Sequence, residues 1–318
     1  MGAGDSELGK RGSGHDLGQI PLKLPHHRRG RGGTKMKIAL PKWTIITLIL
    51  VTVFLPVSLA WSAPPQPPAP PLIPTPPATG YDHYTILQAP DGNPDQIVYG
   101  TPAKDMIAQY GDTNTISQYV EGAVGNDWLL QVGGNPNSDQ TAIAGDGNDT
   151  IYQYGGKGDS IQYAEGGGSG NKQIIQVGGQ GSNNMTIHGG IGINHIEQYG
   201  GSGNNNMYMT GGASDDVIEM YGGNRNNTMI YDLTAGNDLV TIMGGGGYNA
   251  LTINKNLQNL TLQDSRGRVL FQTGVGGSTI TVTNLQRITV IGDAGKPIYT
   301  YNAGIVPTII APLLLLGN

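Results

Sequence analysis

The chain contains no cysteine, which excludes disulfide staples, thiolate metal sites and a cysteine nucleophile. Phenylalanine is nearly missing at two copies, so a conventional core built on Leu and Phe is not on offer. Charged residues make up only 13% of the chain, and the net charge of −5 leaves no overall basic footprint for nucleic acid. The one basic stretch, His26-His27-Arg28-Arg29-Gly30-Arg31, precedes an apolar segment that reads as an export signal. Long apolar runs are lacking too. Trp43 to Val57 is shorter than the ~20 residues a spanning helix needs. There is no Gly-x-Ser-x-Gly elbow and no phosphate loop, and His83, His188 and His195 show no metal-ligand spacing among themselves.

What the chain does have is glycine, at 52 residues, and a repeat. Gly-Gly pairs begin at Gly133, Gly155, Gly166, Gly178, Gly189, Gly200, Gly211, Gly222 and Gly244. Gly100, Gly111 and Gly122 extend the series upstream, and Ala144-Gly145 fills one slot within it. The unit is eleven residues long, Gly-Gly-x-Gly-x-(Asn/Asp)-x-apolar-x-x-x, with one extra residue between Gly166 and Gly178. Glycine supplies the turn, Asn or Asp closes it by bonding to backbone, and a short strand follows.

Alternate units differ, so the true period is 22. One strand series carries Ile107, Leu129, Ile151, Ile174, Ile196, Ile218 and Val240; the other carries Met185, Met207, Met229 and Leu251. Gln109, Gln131, Gln153, Gln176 and Gln198 keep the same spacing, as ladders of stacked amides would. The expected fold is all-β: a parallel β-solenoid or β-roll with two short strands per 22-residue coil and a β-rich C-terminal cap. About seven coils would make a rod on the order of 35 Å long.

The organisation follows from these readings. Residues 1–35 form a polar leader, which lies upstream of the true start if translation begins at Met36. Residues 36–60 have a signal-peptide layout: Met36-Lys37 and Lys42, the apolar run, then Ser58-Leu59-Ala60 before a cut. Residues 61–80 are a proline-rich linker, expected to be an extended spacer. The solenoid spans 81–254 and its cap 255–304. The apolar tail, 305–318, is either a cover for the solenoid end or a segment that docks on another subunit or a membrane.

The unit resembles the glycine- and aspartate-rich nonapeptide of the RTX, or haemolysin-type, calcium-binding family. The stretches that carry the resemblance are Ala144-Gly145-Asp146-Gly147-Asn148-Asp149-Thr150-Ile151, Ala235-Gly236-Asn237-Asp238-Leu239-Val240 and Val124-Gly125-Asn126-Asp127-Trp128-Leu129. The unit departs from it in having eleven residues, Asn in many aspartate slots, and an N-terminal export segment. The resemblance implies calcium held by turn carbonyls and aspartates paired between coils. The corresponding residues here are Asp105, Asp127, Asp149, Asp216 and Asp238, with Asp127 above Asp149 as the best pair; otherwise these acids only cap turns. The opposite column of Ser138, Ser160, Asn183, Asn205, Asn227 and Asn249 offers no carboxylate.

Glu197 and Glu219 share a face, which a solvated surface explains. The functional expectation is a secreted or surface-associated structural or adhesive protein, not an enzyme. Its expected partners are its own copies or cell-surface and matrix material. It has no nucleic-acid partner, and touches membrane only through the signal peptide or apolar tail. The alternative is a calcium-binding module that folds on export; a polysaccharide-active enzyme ranks below both, because the uniformly short turns leave no room to build a catalytic groove.

Overall fold

A computed structural model describes residues 65–88, 95–135 and 137–303. The leader, the signal segment and the apolar tail lie outside them. The described residues form strands and no helix, wound as a β-solenoid of about nine turns some 22 residues apart. Odd-numbered strands build the first sheet: β1 (His83–Gln88), β3 (Asp105–Tyr110), β5 (Trp128–Val132), β7 (Asp149–Tyr154), β9 (Lys172–Val177), β11 (His195–Tyr199), β13 (Val217–Tyr221), β15 (Leu239–Met243) and β19 (Ser278–Thr283). The second sheet alternates with it: β2 (Asp95–Tyr99), β4 (Ser117–Glu121), β6 (Ser138–Ile143), β8 (Ser160–Glu165), β10 (Asn183–Gly190), β12 (Asn205–Gly212), β14 (Asn227–Asp232), β16 (Asn249–Asn254) and β20 (Arg287–Ile291).

Every neighbour in these runs is parallel and in register, so each residue faces its own copy one coil away, as Ile196 faces Ile218 and Met207 faces Met229. The extra residue sits in the turn before β9. From β7 to β9 the offset widens to 23, as Thr150 pairs with Gln173, and from β9 to β11 it returns to 22. Tight turns stack with equal closeness. Gly147 has φ +134°, and a Cβ there would run into the carbonyl of Gly125 one coil below, so no other residue fits.

There are nine coils instead of seven because β1–β2 and β19–β20 complete turns that lack the glycine signature. The hairpin of β17 (Leu260–Asp264) and β18 (Val269–Thr273) interrupts the winding before β19 resumes the first sheet, pairing Leu239 with Thr279. β17 then packs outside β19, and antiparallel β18 and β21 (Pro297–Asn302) form the last strands of the two sheets.

The core lies between the sheets and changes along the axis. The sequence points to one glutamine ladder; two are present, both buried. In the first sheet Nε2 of Gln131, Gln153, Gln176 and Gln198 each donates to Oε1 of the preceding glutamine at 2.7–2.9 Å. In the second, Gln118, Gln140 and Gln162 do the same, back to Gln96, at 2.8–3.0 Å. The amides also staple the sheets together, as Gln153 donates to the carbonyl of Tyr163 and Gln140 to that of Tyr154. Beyond these coils the slots hold Met185, Met207, Met229 and Leu251 on one side and Met220 and Ile242 on the other. Each ladder ends on a buried carbonyl oxygen, Gln162 Oε1 and Gln198 Oε1, without a partner.

The proline-rich segment touches the solenoid. The Tyr154 hydroxyl donates to the Leu72 carbonyl at 2.9 Å, and Gln66 to Pro70 share a cleft with Tyr199 and Tyr221. Over the described part of this segment, the expected spacer is a strap along the outer face of the first sheet.

Candidate functional site

The aspartates named from the repeat do fall in one column, at the turns that open the first-sheet strands. From the N-terminal end it runs His83, Asp105, Asp127, Asp149, Lys172, Asn194, Asp216, Asp238 and Ser278. One function of the acids is visible at once. Asp127 Oδ1 accepts the N–H of Asp105, Asp149 Oδ1 that of Asp127, Asp216 Oδ1 that of Asn194 and Asp238 Oδ1 that of Asp216, at 2.7–3.1 Å. Each carboxylate therefore satisfies a backbone donor of the coil before it, where the ladder would otherwise leave an orphan.

The second oxygens differ, and here the column divides. Asp105 Oδ2 takes the N–H of Thr101, while its Oδ1 lies 3.0 Å from Nδ1 of exposed His83. Asp238 Oδ2 takes the Tyr231 hydroxyl at 2.7 Å. Asp127 Oδ2 and Asp216 Oδ2 are buried and have no partner. Burial pushes Asp127 up to about 7 against the pull of the Asp105 N–H, and the charges of Asp149 and Asp105 push the same way as burial. Burial likewise raises Asp216 to about 7, with the charge of Asp238 adding to it. Asp149 and Asp238 are raised for the same first cause.

Asp149 Oδ2 has a different neighbour. Lys172 occupies the aspartate slot one coil on, and its Nζ lies 2.7 Å from that oxygen with both side chains fully buried. The ammonium also meets the carbonyls of Gly145 at 2.9 Å, Gly147 at 2.5 Å and Ser169 at 3.0 Å. Three turn carbonyls and a carboxylate around one positive charge are the donor set a hard cation takes. The lysine thus acts as a tethered cation in the middle of the column. Sequence reasoning missed it by searching the column for acids. The signal was the non-acidic residue in the slot directly after the one turn with an extra residue, and that turn supplies Ser169 to the cage.

The structure brings Asp105, Asp127 and Asp149 together at the N-terminal side of Lys172, and Asp216 with Asp238 beyond Asn194. Asn194 shows how an amide serves the same slot: its Nδ2 donates to the carbonyls of Gly190 and Gly211. At the opposite corner, Asn183, Asn205, Asn227 and Asn249 form an amide ladder with Nδ2 to Oδ1 distances of 2.6–2.8 Å. His188 lies on β10 and His195 on β11, in different sheets. No protein-family model matches the chain, and comparison with curated proteins and with solved structures finds no match either.

Proposed function

We propose that the protein is an exported structural or adhesive rod that associates with its own copies through the N-terminal end of its solenoid. The observation that carries this reading is the contrast between the ends. Among the described residues, β1 and β2 pair on one side only, and they carry exposed Tyr84, Ile86, Ile97 and Tyr99. An unpaired edge with apolar side chains is a template for another strand. The other end is guarded: Arg266 and Arg268 sit at the β17–β18 turn, and Lys296 with Pro297 opens β21. Two N-terminal ends meeting about a two-fold axis would pair antiparallel, giving a closed dimer instead of a filament. Export rests on the layout of residues 36–60. Sedimentation of the full chain over a range of concentrations tests the association. Dimers that dissociate in Ile86→Lys and Ile97→Lys are expected; a monomer at all concentrations would overturn the reading.

A second reading has its own support. The partnerless buried oxygens of Asp127 and Asp216 stand at the equivalent position, in other coils of the column, to the Asp149 oxygen that Lys172 neutralises, which favours calcium at Asp105–Asp127 and Asp216–Asp238. Calcium should then raise the thermal midpoint at neutral pH, and a chelator should lower it. The gain should vanish when Asp127→Asn and Asp216→Asn are combined.

A further inference from the structure

On the outer face of the first sheet, one column changes character halfway along. It runs Ala108, Leu130, Tyr152, Ile175, Glu197, Glu219, Thr241 and Thr281. Glu197 and Glu219 are directly opposite each other on β11 and β13. Like charges so placed repel. Among the described residues no lysine or arginine forms an ion pair with either. Nor is this a freely solvated face: the Glu197 side chain is 16% exposed.

The two carboxylates are held in a common orientation. The Tyr199 hydroxyl donates to Glu197 Oε2 at 2.7 Å and the Tyr221 hydroxyl to Glu219 Oε2 at 2.8 Å. The two rings stack at 5.0 Å between centroids, which locks the hydroxyls in place. His195, two residues before Glu197 and therefore on the same face, brings Nε2 to 3.0 Å from Glu197 Oε1. One ligand atom from each of His195, Glu197 and Glu219 lies within 4.8 Å of the others.

We propose that His195, Glu197 and Glu219 form a binding site for a zinc-class divalent cation, with Tyr199 and Tyr221 as positioning residues. An imidazole nitrogen and two carboxylate oxygens suit zinc, whose tetrahedral ligands sit about 3.3 Å apart, leaving one position to water. The cation offsets the repulsion of the paired glutamates and needs only small side-chain adjustments on strands that are already fixed. His195 is half exposed, so the site opens to solvent. Calcium, which takes six to eight oxygens and no imidazole, is a poor fit here, so this site is chemically separate from the aspartate column. The tyrosine hydroxyls do what outer-shell partners do at metal sites: they fix the carboxylates and leave one oxygen of each for the ion.

The test is calorimetric titration of the full chain with zinc, repeated for His195→Gln, Glu219→Gln, Tyr221→Phe and Asp127→Asn, each first checked for an unchanged β circular dichroism spectrum. Histidines outside the solenoid add background, so the stoichiometry lost in the variants is the decisive reading. One saturable site should disappear or weaken more than about a hundredfold in either ligand variant, weaken about tenfold in Tyr221→Phe, and persist in Asp127→Asn. Two ligands on two separate strands guard against a folding artefact in one variant. No saturable site, or zinc binding the same in both ligand variants as in the parent, overturns the proposal.

Discussion

The first half of the solenoid and the second wind the same backbone around different interiors. Glutamine amides run down the middle of the first sheet in coils two to six and of the second in coils one to four, bonded to their copies and, at most rungs, to a carbonyl across the sandwich. In the later coils the same slots hold methionine, leucine and isoleucine. A parallel coil needs side chains that repeat, and either chemistry repeats. The difference lies in tolerance. An apolar slot depends on volume alone, and swaps that keep volume cost under about 1.5 kcal/mol. An amide slot depends on its neighbours above and below, so losing one rung strands two others. Lys172 sits near the changeover, holding the one coil whose turn is a residue longer.

The comparison breaks first at Lys172. Replacing it by Met in the full chain leaves the Asp149 carboxylate and three carbonyls buried without their charge partner, at a cost of roughly 3–5 kcal/mol. That should lower the thermal midpoint by about 10 °C. Asp149→Asn added to the same chain should recover most of the loss, because Asn194 shows that an amide fits the column. A Lys172→Met chain that melts within a degree of the parent would mean the cage contributes nothing.

Next in size is the ladder itself. Gln153→Met keeps the volume but leaves Gln131 Oε1 without its donor and Gln176 without one of its acceptors. The loss should be about 2–3 kcal/mol in a denaturation series. Met207→Leu, on the other side of the changeover, should stay below about 1.5 kcal/mol. Equal losses would show that the two interiors are held in the same way.

A smaller effect is expected from pH. Asp127 and Asp216 have folded-state values near 7, above the ordinary carboxylate range, so in metal-free protein the folded chain binds more protons than the unfolded one between about pH 4 and 7. Their contribution to stability is complete below the unfolded value and is lost as pH rises through 7. The thermal midpoint should therefore fall from pH 5 to pH 8, and Asp127→Asn with Asp216→Asn should flatten the fall. A midpoint that rises over this range in chelator would contradict the assigned burial.

The coil and its period were readable because glycine is demanded wherever turns stack at van der Waals contact, as at Gly147. One glutamine ladder was readable with them. The second escaped because the other strand series was traced by its apolar residues, which begin at Met185; upstream the same slots hold Gln162, Gln140, Gln118 and Gln96. The aspartate column was legible as a column, while its division was not. Which carboxylate oxygen keeps a partner depends on Thr101, Tyr231 and Lys172, whose approach is fixed by three-dimensional packing and leaves no periodic mark. The site at His195 was hidden by the same limit. Stacked Glu197 and Glu219 follow from the period, but the tyrosine hydroxyls that orient them do not.

The finest probe of the two interiors is a substitution that moves the boundary between them. Gln198 Oε1 is buried without a donor because the next residue in its column is Met220. Met220→Gln would supply that donor. Following the ten-residue pattern of Gln153 to Tyr163 and Gln176 to Thr186, the new amide would also reach the carbonyl of Ile230. Its own oxygen would then face Ile242, so the orphaned carbonyl moves one coil on and the total is unchanged. Stability should stay within about 1 kcal/mol of the parent. Met209→Gln inserts the same amide between Ile187 and Tyr231, where no ladder waits for it, and should cost about 2–3 kcal/mol. Identical chemistry at two equally buried methionines would then differ only in whether a neighbouring coil offers a partner, so the gap between the two midpoints measures the ladder alone.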